Sequence, residues 1–435
     1  LMRILISLLM LAVLAGCEWS SGNDQDGYTC SNRDQKRFVR DATEFWYFWN
    51  DLLPNKTNVS RYDNAVDLLE DLTSVQPLDE FSYITSALAD AAFFGAGQYE
   101  GFGFSWKRVA SDDIRLTRVF AGSPAEAAGF SRGQRIVALD GRSIAEIEAA
   151  EGFDAALDAF TADFTMREID GVTEFTVPVT QAVVTIDPIP QRRLIPTVAG
   201  PPVGYLELAA FIETADAPLQ TAFAEFRAND VTDLIIDLRY NSGGVVTTSD
   251  LLGDLLGGAV AENLTFTRTL FNADRSAEFD TEEFFDLLAN SINLSRLVVI
   301  ATERTASASE TIINGMDPHV EVTVVGTTTR GKPVGQVGLA FCGAVVRLTA
   351  FQVVNANGFG DYFDGLPADC SVADDLTVPV GDAADPNLVA ALDYLATGAC
   401  PPVPAMQRES AQDGALWESP DDLRGPPWRE FAGAY

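Results

Sequence analysis

Histidine is almost missing from this chain: His319 is the only one among 435 residues. A serine-type catalytic triad usually takes its general base from histidine. His319 follows Asp317-Pro318, where a turn is expected rather than a positioned catalytic side chain. Zinc sites use histidine and cysteine at short spacings, and the five cysteines have no such spacing. We therefore expect no histidine-based triad, no metal and no other cofactor.

Positive charge is also scarce. The chain carries 29 lysine and arginine residues against 63 aspartate and glutamate residues, a formal net charge of −34. Nucleic acids and anionic membrane surfaces would be repelled by such a protein, so neither is expected as a partner. A well-solvated surface suited to a salty medium is the better interpretation. The 47% apolar content is ample for the cores of two or three domains.

The chain has no apolar run long enough to cross a bilayer as a helix near its beginning. Residues 4–15 are apolar, but a spanning helix takes about 20 residues, so a signal peptide is expected. Its end, Leu14-Ala15-Gly16-Cys17, resembles the lipobox of bacterial lipoproteins, which implies cleavage and lipidation at Cys17. An ordinary signal peptide over residues 1–17 is the alternative. Glu18 is not the aspartate that often retains lipoproteins at the inner membrane, so a periplasm-facing outer-membrane anchor is favoured.

Four cysteines remain if Cys17 is lipidated. An even number in an exported protein predicts disulfides. Three pairings are open, and buried free thiols are the alternative. The four are Cys30, Cys342, Cys370 and Cys400.

Residues 18–91 are expected to form a polar tether and a helical region. Aromatic and leucine side chains recur at near-helical spacing from Phe38 to Leu53, which predicts an amphipathic helix ending at Pro54. We expect this stripe to pack into a core rather than to bind a ligand. A second helix is predicted over residues 64–72.

A glycine-rich stretch opens the next region. In Gly101-Phe102-Gly103-Phe104 the glycines leave backbone N–H groups free to hold a carboxylate. A strand at 114–120, a short helix within 122–129, and a strand and turn at 133–141 follow. This series resembles a bacterial PDZ domain over residues 92–186. The resemblance implies binding of peptide C-termini by strand addition and carboxylate capture; a PDZ-like spacer without a ligand is the alternative.

Beyond residue 187 strands and helices alternate, which predicts an α/β domain. Apolar strands are expected at 203–208 and 234–238, with a helix at 215–226 between them. Asn241-Ser-Gly-Gly244 closes the second strand. Because Gly243 and Gly244 carry no side chain, their N–H groups can approach a developing oxyanion. A plain tight turn is the alternative.

A candidate nucleophile follows the next strand. The run at 297–301 predicts a buried strand, and a helical stretch begins at Thr311, so Ser307 falls at a strand-to-helix turn. A serine hydroxyl needs a neighbouring base. A lysine serves as that base when burial disfavours its charged form. Lys332, one of four lysines in the chain, meets this need.

Three motifs stand in order in the second half of the chain: Asp237-Leu-Arg-Tyr-Asn-Ser-Gly-Gly244, Thr305-Ala-Ser-Ala-Ser-Glu310, and Gly331-Lys332 with Gln336. Together they resemble the C-terminal processing, or tail-specific, serine proteases. The resemblance implies a Ser-Lys dyad whose lysine stands 25 residues after its serine, which selects Ser307 over Ser309. It also implies that Gln336 orients Lys332. The N–H of Gly243 or Gly244, with that of Ala308, would form the oxyanion hole.

Two positions depart from the family's pattern. The family often carries an aspartate eleven residues after the serine, where this chain has Pro318, with Asp317 one position earlier. An accessory role for Asp317 is therefore left open. Pro333 follows the lysine, and its fixed φ only stiffens the loop.

The resemblance implies a crotonase-like α/β protease core over residues 187–400, with the PDZ domain inserted before it, a last helix at 386–397 and an extended tail over 401–435. The implied function is an envelope serine endopeptidase that cleaves proteins with apolar C-termini. An adaptor protein is a further candidate partner. Two alternatives remain: an inactive peptide- or lipid-binding protein on the same fold, and an acyl-CoA enzyme of crotonase type, which would have no use for a PDZ domain or export.

Overall fold

A computed structural model describes residues 27–198, 200–402, 425–427 and 431–432. The expected signal peptide, Cys17 and most of the tail lie outside the described residues. The described residues divide into two compact units: those up to residue 88 together with 336–350 form the first unit, and those from 89 to 335 together with those from 351 onward form the second.

Helices and strands occur throughout both units and are numbered in chain order. The helices are α1 (Asn32–Trp46), α2 (Ala65–Thr73), α3 (Ala87–Ala96), α4 (Pro124–Ala127), α5 (Ile144–Ala150), α6 (Phe153–Ala156), α7 (Asp216–Ala228), α8 (Val246–Gly257), α9 (Ser276–Phe279), α10 (Ala308–Met316) and α11 (Pro386–Thr397). The strands are β1 (Tyr83–Ser86), β2 (Gln98–Gly101), β3 (Phe104–Ala110), β4 (Asp113–Val119), β5 (Arg135–Leu139), β6 (Arg142–Ser143), β7 (Thr161–Arg167), β8 (Glu174–Thr180), β9 (Ala182–Thr185), β10 (Gln191–Ile195), β11 (Val203–Glu207), β12 (Asp233–Asp237), β13 (Thr265–Phe271), β14 (Thr281–Phe284), β15 (Arg296–Ala301), β16 (Glu321–Gly326), β17 (Val334–Phe341), β18 (Ala344–Asn355) and β19 (Cys370–Ser371).

The first unit packs α1 and α2 around a small apolar core. Asn64 caps α2, its side-chain oxygen accepting the N–H groups of Val66 and Asp67, so the helix predicted there is confirmed. The prediction that the first helix reaches Pro54 is wrong. α1 ends at Trp46 because the next residue, Tyr47, leaves the helix at ψ 130° and buries its ring completely. Between Trp46 and Pro54 the only further helical structure is a single 3-10 turn at Asn50–Leu52.

The second unit contains a β-rich part, residues 98–185, which we call the β-module. Its larger sheet has the order β3-β4-β5-β7-β8, with β6 beside β5, and β2 pairs separately with β9. Phenylalanine rings fill its core, with Phe164 packed edge-on to both Phe102 and Phe104. The strands and short helix predicted between residues 114 and 141 are present as β4, α4 and β5.

The rest of the second unit is a layered α/β fold around a six-stranded sheet of order β10-β11-β12-β15-β16-β19. β10 runs antiparallel to β11, and the other neighbours are parallel. Side chains alternate between faces along a strand. Leu234 and Ile236 therefore join the core with α7, α8 and α10, whereas Ile235 packs on the α11 side. A sheet covered on both faces explains the continuous apolar runs in its strands, and the predicted α/β class is confirmed.

Two disulfides are formed, and they resolve the open pairing. Cys30 is bonded to Cys342, 312 residues away, within the first unit. Cys370 is bonded to Cys400, 30 residues away, within the second. Across the described ranges, no helix combines the length and apolar character needed to cross a bilayer.

Candidate active site

Two loops meet where neighbouring parallel strands end. β12 and β15 pair in parallel, so their carboxyl ends lie at the same edge of the sheet, the usual place for a site in α/β folds. The Thr305 hydroxyl donates to the Leu238 carbonyl over 2.8 Å. The Ala306 N–H donates to the Asn241 carbonyl over 3.1 Å. These bonds tie the loop that carries Ser307 to the loop that carries the paired glycines.

Ser307 occupies a position unlike that of its neighbour Ser309. It precedes α10 with φ +54°, a backbone conformation that residues other than glycine rarely adopt and that often marks a functional site. Its side chain is only half-buried. Ser309 is fully buried, and its hydroxyl donates to the Asn241 carbonyl over 2.9 Å. Of the two serines, only Ser307 has a side chain that is partly open to solvent.

Glu310 joins the Ser307 turn to the Lys332 loop. One carboxylate oxygen accepts the N–H groups of Ser307 (2.9 Å) and Lys332 (2.8 Å). The other accepts the Thr329 hydroxyl (2.5 Å) and the Gly331 N–H (2.7 Å). Burial raises the pKa of Glu310, although the four donors oppose that rise. A single buried side chain thus sets the separation of the two predicted dyad backbones.

The Lys332 loop is also held by the segment around residue 365. Gly331 has φ +90°, and a Cβ there would stand 2.3 Å from the Phe363 carbonyl oxygen, so only glycine fits. The Thr329 hydroxyl accepts the Leu366 N–H over 2.7 Å. The side chain of Lys332 is half-buried. The segment around residue 365 therefore supports the loop that carries the candidate base.

The paired glycines touch the Ser307 turn directly. A Cβ on Gly243 would lie 2.7 Å from Ser307 Cβ and 2.8 Å from the Ala308 nitrogen, so a side chain there would push the two loops apart. The Gly243 N–H is already donated to the Asn241 side-chain oxygen over 2.9 Å. Gly244, with φ +142°, lies against the Phe211 carbonyl. The structure thus brings together the glycine pair, Ser307 and Ala308.

His319 and Asp317 lie away from this group. α10 runs for nine residues from Ala308, about 13 Å at 1.5 Å per residue, and both side chains follow its far end. The His319 ring nitrogen is 2.9 Å from the Thr265 carbonyl oxygen, and burial lowers the pKa of this histidine. Asp317 is exposed. Neither residue is placed to act on Ser307.

Gln336 belongs to the first unit, where its side-chain nitrogen donates to the Phe81 carbonyl. Its expected role beside Lys332 stays a prediction. Within the described ranges, no group of three or more histidine, cysteine, aspartate or glutamate residues is arranged to hold a metal ion.

A buried ionic contact links the β-module to the glycine loop. Arg132, in the turn before β5, donates to the Tyr240 hydroxyl (2.8 Å) and pairs with Asp374 (2.7 Å). Arg239 also pairs with Asp374, over 2.9 Å. Burial alone would raise the pKa of Asp374, but the two guanidinium groups lower it to about 2. No sequence pattern indicated this cluster, because its members come from three distant stretches.

The Gly101–Phe104 stretch holds a backbone partner within the same chain. Its Phe102 N–H donates to the Ala432 carbonyl over 3.0 Å, and the Ala432 N–H donates to the Phe104 carbonyl over 2.8 Å. Both phenylalanine rings are fully buried. The stretch therefore contacts its partner through backbone N–H and carbonyl groups rather than through these side chains. Gly103 has φ +92°, and a Cβ there would overlap Ser123.

Two family models match the chain. "Peptidase family S41" matches residues 202–372, and "Peptidase S41 N-terminal domain" matches residues 34–83. Similar curated proteins include carboxyl-terminal-processing peptidase 3 of Arabidopsis thaliana, 28% identical over 48% of this chain and 41% of its own length. The C-terminal processing peptidase of Tetradesmus obliquus is 26% identical over 66% of this chain and 63% of its own. The chain thus spans less than two thirds of each relative's length.

Solved structures share the fold. A putative S41 protease from Bacteroides fragilis matches with a TM-score of 0.66 and 24% identity, over 83% of this chain and 97% of that one. The photosystem II D1 C-terminal processing protease matches with a TM-score of 0.52 and 20% identity, over 79% and 94%. The larger family model includes the glycine loop, Ser307 and Lys332 within its limits. By its family models and its mixed α/β fold, the chain belongs to peptidase family S41.

Proposed function

We propose that this chain is a serine endopeptidase in which Ser307 is the nucleophile and Lys332 the general base. The proposal rests above all on Glu310, whose carboxylate binds the backbone N–H groups of both residues. A nucleophile and base must be held within hydrogen-bond reach. The strained turn at Ser307 and the remoteness of His319 are further support. The core is proposed to be of the crotonase type, with the β-module as an inserted PDZ domain.

The proposed reaction is acyl transfer. Neutral Lys332 takes the hydroxyl proton as Ser307 Oγ attacks the scissile carbonyl. The resulting oxyanion would be bound by backbone N–H groups. Ala308 supplies one donor, and Gly244 is the better second donor because the Gly243 N–H is already donated to Asn241. The lysine ammonium then protonates the leaving amine, and water releases the acyl group. Gln336 is proposed to orient the lysine.

The test compares four variants on an unfolded protein substrate with an apolar C-terminus. Ser307→Ala and Lys332→Ala should each abolish cleavage, and the double variant should lose no more, because nucleophile and base act as one unit. His319→Ala is the control and should retain activity. Activity in Lys332→Ala together with its loss in His319→Ala would refute the dyad. A wild-type chain that binds the substrate but never cleaves it would instead indicate an inactive binding protein.

Substrate tails are proposed to bind at Gly101, Phe102, Gly103 and Phe104. Backbone groups of this stretch already bind Ala432 of the same chain, and strand addition in peptide recognition uses backbone hydrogen bonds of the same kind. Amidation of a test peptide's C-terminus removes the charge that these N–H groups would hold. Free-acid peptides should therefore be cleaved faster than amidated ones. Equal rates would exclude tail recognition and leave the dyad untouched.

We also propose an oxidising location in the cell envelope. Disulfides persist in such compartments, and four cysteines of the chain are bonded in pairs. Lipidation of Cys17 and an outer-membrane anchor remain predictions. The intact mass of the membrane fraction should show a lipid on a chain that begins at Cys17; a soluble product beginning elsewhere would contradict the anchor.

A further inference from the structure

A later segment of the same chain is hydrogen-bonded to the edge strand of the β-module sheet. β3 is the last strand on its side of the sheet. Ala432 exchanges two backbone hydrogen bonds with Phe102 and Phe104, and Phe431 forms an antiparallel bridge with Ser105. A peptide that adds to a sheet edge is bound by backbone hydrogen bonds of this kind. The surface along β3 therefore already has an occupant.

The side chains of this segment are buried as well. The Phe431 ring stands 4.8 Å from that of Tyr99 and 4.9 Å from that of Phe120, centroid to centroid. Phe431 is 8% exposed and Ala432 only 1%. The β3 groove, defined as the edge of β3 with Tyr99 and Phe120, accepts a large aromatic residue followed by a small one.

Gly101 makes the close approach possible. A Cβ at this position would stand 2.9 Å from the Ala432 carbonyl oxygen and 2.9 Å from the Tyr99 ring. Real Cβ atoms are almost never that close to another heavy atom. Any residue larger than glycine would collide with the Ala432 carbonyl. The groove therefore accepts the segment only because position 101 is glycine.

We propose that Phe431 and Ala432 are an internal peptide ligand, which fills the β3 groove and excludes other peptides until they displace it. The inference rests on the proposed function, because that function assigns the same groove to substrate tails. A tethered ligand competes at an effective concentration of about 1 mM. An incoming peptide must therefore overcome this competition, and only strongly binding tails would open the groove.

Peptide binding tests the proposal without any cleavage. The probe is a fluorescent peptide with the sequence of residues 425–435, and all proteins carry Ser307→Ala so that the probe stays intact. Fluorescence anisotropy should show at least about 10-fold tighter binding to Phe431→Ala than to its parent, because the competitor is weakened. Phe160→Ala removes an exposed ring from the same module, 60% exposed, and should bind like the parent. Equal affinity in all three proteins would overturn the proposal.

A second variant locates the binding. Gly101→Val, added to Phe431→Ala, should abolish probe binding, and the circular dichroism spectrum checks that this variant is still folded. A probe with alanine in place of its phenylalanine should also fail to bind Phe431→Ala, which checks the groove without altering it. Probe binding that survives both changes would overturn the assignment to β3.

The segment could instead come from a second copy of the chain. Sedimentation of the parent distinguishes the two arrangements. An internal ligand predicts a sedimentation coefficient and a probe affinity that do not change with protein concentration. Dissociation on dilution together with rising probe affinity would refute the internal arrangement.

A cleavage assay distinguishes failure of the proposed function from failure of the internal-ligand proposal. With Ser307 restored, Phe431→Ala should cleave a protein substrate faster than wild type at low substrate concentration and at the same rate at saturation. Tighter probe binding in a chain that never cleaves would refute the protease and leave the internal ligand supported. Normal cleavage with unchanged probe affinity would refute the internal ligand and leave the protease supported.

Discussion

The Ser307 junction, comprising Ser307, Glu310 and Lys332, and the Arg132 contact, comprising Arg132, Tyr240 and Asp374, are built in opposite ways. At the junction a single carboxylate binds backbone N–H groups within one short stretch of chain. At the contact, side chains from three distant stretches bind one another through charge. The junction therefore depends on one carboxylate and on the path of the backbone, whereas the contact depends on pairs of charged side chains.

This difference affects how each region responds to change. Backbone donors cannot be moved by a rotamer change, so an altered acceptor at the junction leaves them unsatisfied. Charged side chains at the contact have several partners, since Asp374 also pairs with Arg239. Loss of one partner there weakens the cluster without orphaning every member. The junction should thus be intolerant of isosteric changes, and the contact more tolerant.

Glu310→Gln should break the junction and have the largest effect. Each carboxylate oxygen accepts two donors, so either orientation of the amide sets its NH₂ group against two of them. We expect a loss of about 4 kcal/mol in the free energy of unfolding and a drop of about 100-fold in kcat/KM from misplacement of the dyad. Urea unfolding and steady-state kinetics measure the two effects.

Glu303→Gln is the matched control for that change. Glu303 is a half-buried glutamate in the loop before α10, but its partners are Lys107 and the Thr327 hydroxyl. We expect a loss below about 1 kcal/mol and normal kcat. Similar losses in both variants would mean that the junction has no special role in holding Ser307 and Lys332.

The junction could be foreseen from the sequence, at least in part. The strand, the turn and the following helix were predicted, and α10 begins where the turn ends. Ser307 and Glu310 also have the spacing of a capping box, serine followed three residues later by glutamate. That pattern could have assigned Glu310 its contact with the Ser307 N–H. It could not have shown the bonds to Gly331 and Lys332, which depend on the folded loop.

The Arg132 contact and the bound tail segment could not be foreseen. Arg132 and Asp374 are 242 residues apart, and no local pattern relates them. The same applies to Ala432, which was expected to lie in an extended tail. The prediction of where the first helix ends was wrong for a related reason. α1 ends where it does because Tyr47 is buried among residues of α2. Periodicity describes one element at a time, whereas these features depend on packing between elements.

Arg132→Met should have the second-largest effect. It removes a buried guanidinium, 11% exposed, and leaves Asp374 with Arg239 as its remaining arginine partner. We expect a loss of about 3 kcal/mol in the free energy of unfolding, measured in urea at neutral pH. Arg135→Met is the control, since its guanidinium is 24% exposed and pairs with the exposed Asp112 and the half-buried Asp113; its loss should stay below about 1 kcal/mol. Equal losses would remove the distinction between the buried contact and a more exposed pair.

The smallest expected effect is the pH dependence of the stability that Arg132→Met loses. Burial would raise the pKa of Asp374, but Arg132 and Arg239 lower it to about 2, against about 3.9 for an unfolded aspartate. A lowered carboxylate pKa stabilises the folded state above the unfolded pKa, in this case by about 2 to 3 kcal/mol. That stabilisation is lost as the pH falls from about 4 to about 2. Without Arg132, the pKa of Asp374 returns part of the way to its ordinary value.

The stability difference between wild type and Arg132→Met should therefore be full at about pH 7 and shrink between about pH 4 and pH 2. Urea unfolding of both proteins across this range measures it, and other carboxylates cancel in the difference. Arg135→Met again serves as the control. A difference that stays constant down to about pH 2 would mean that Arg132 acts through its bonds to the Thr117 and Val378 carbonyls. The contact would then resemble the Ser307 junction, in which backbone groups rather than paired side-chain charges hold the parts together.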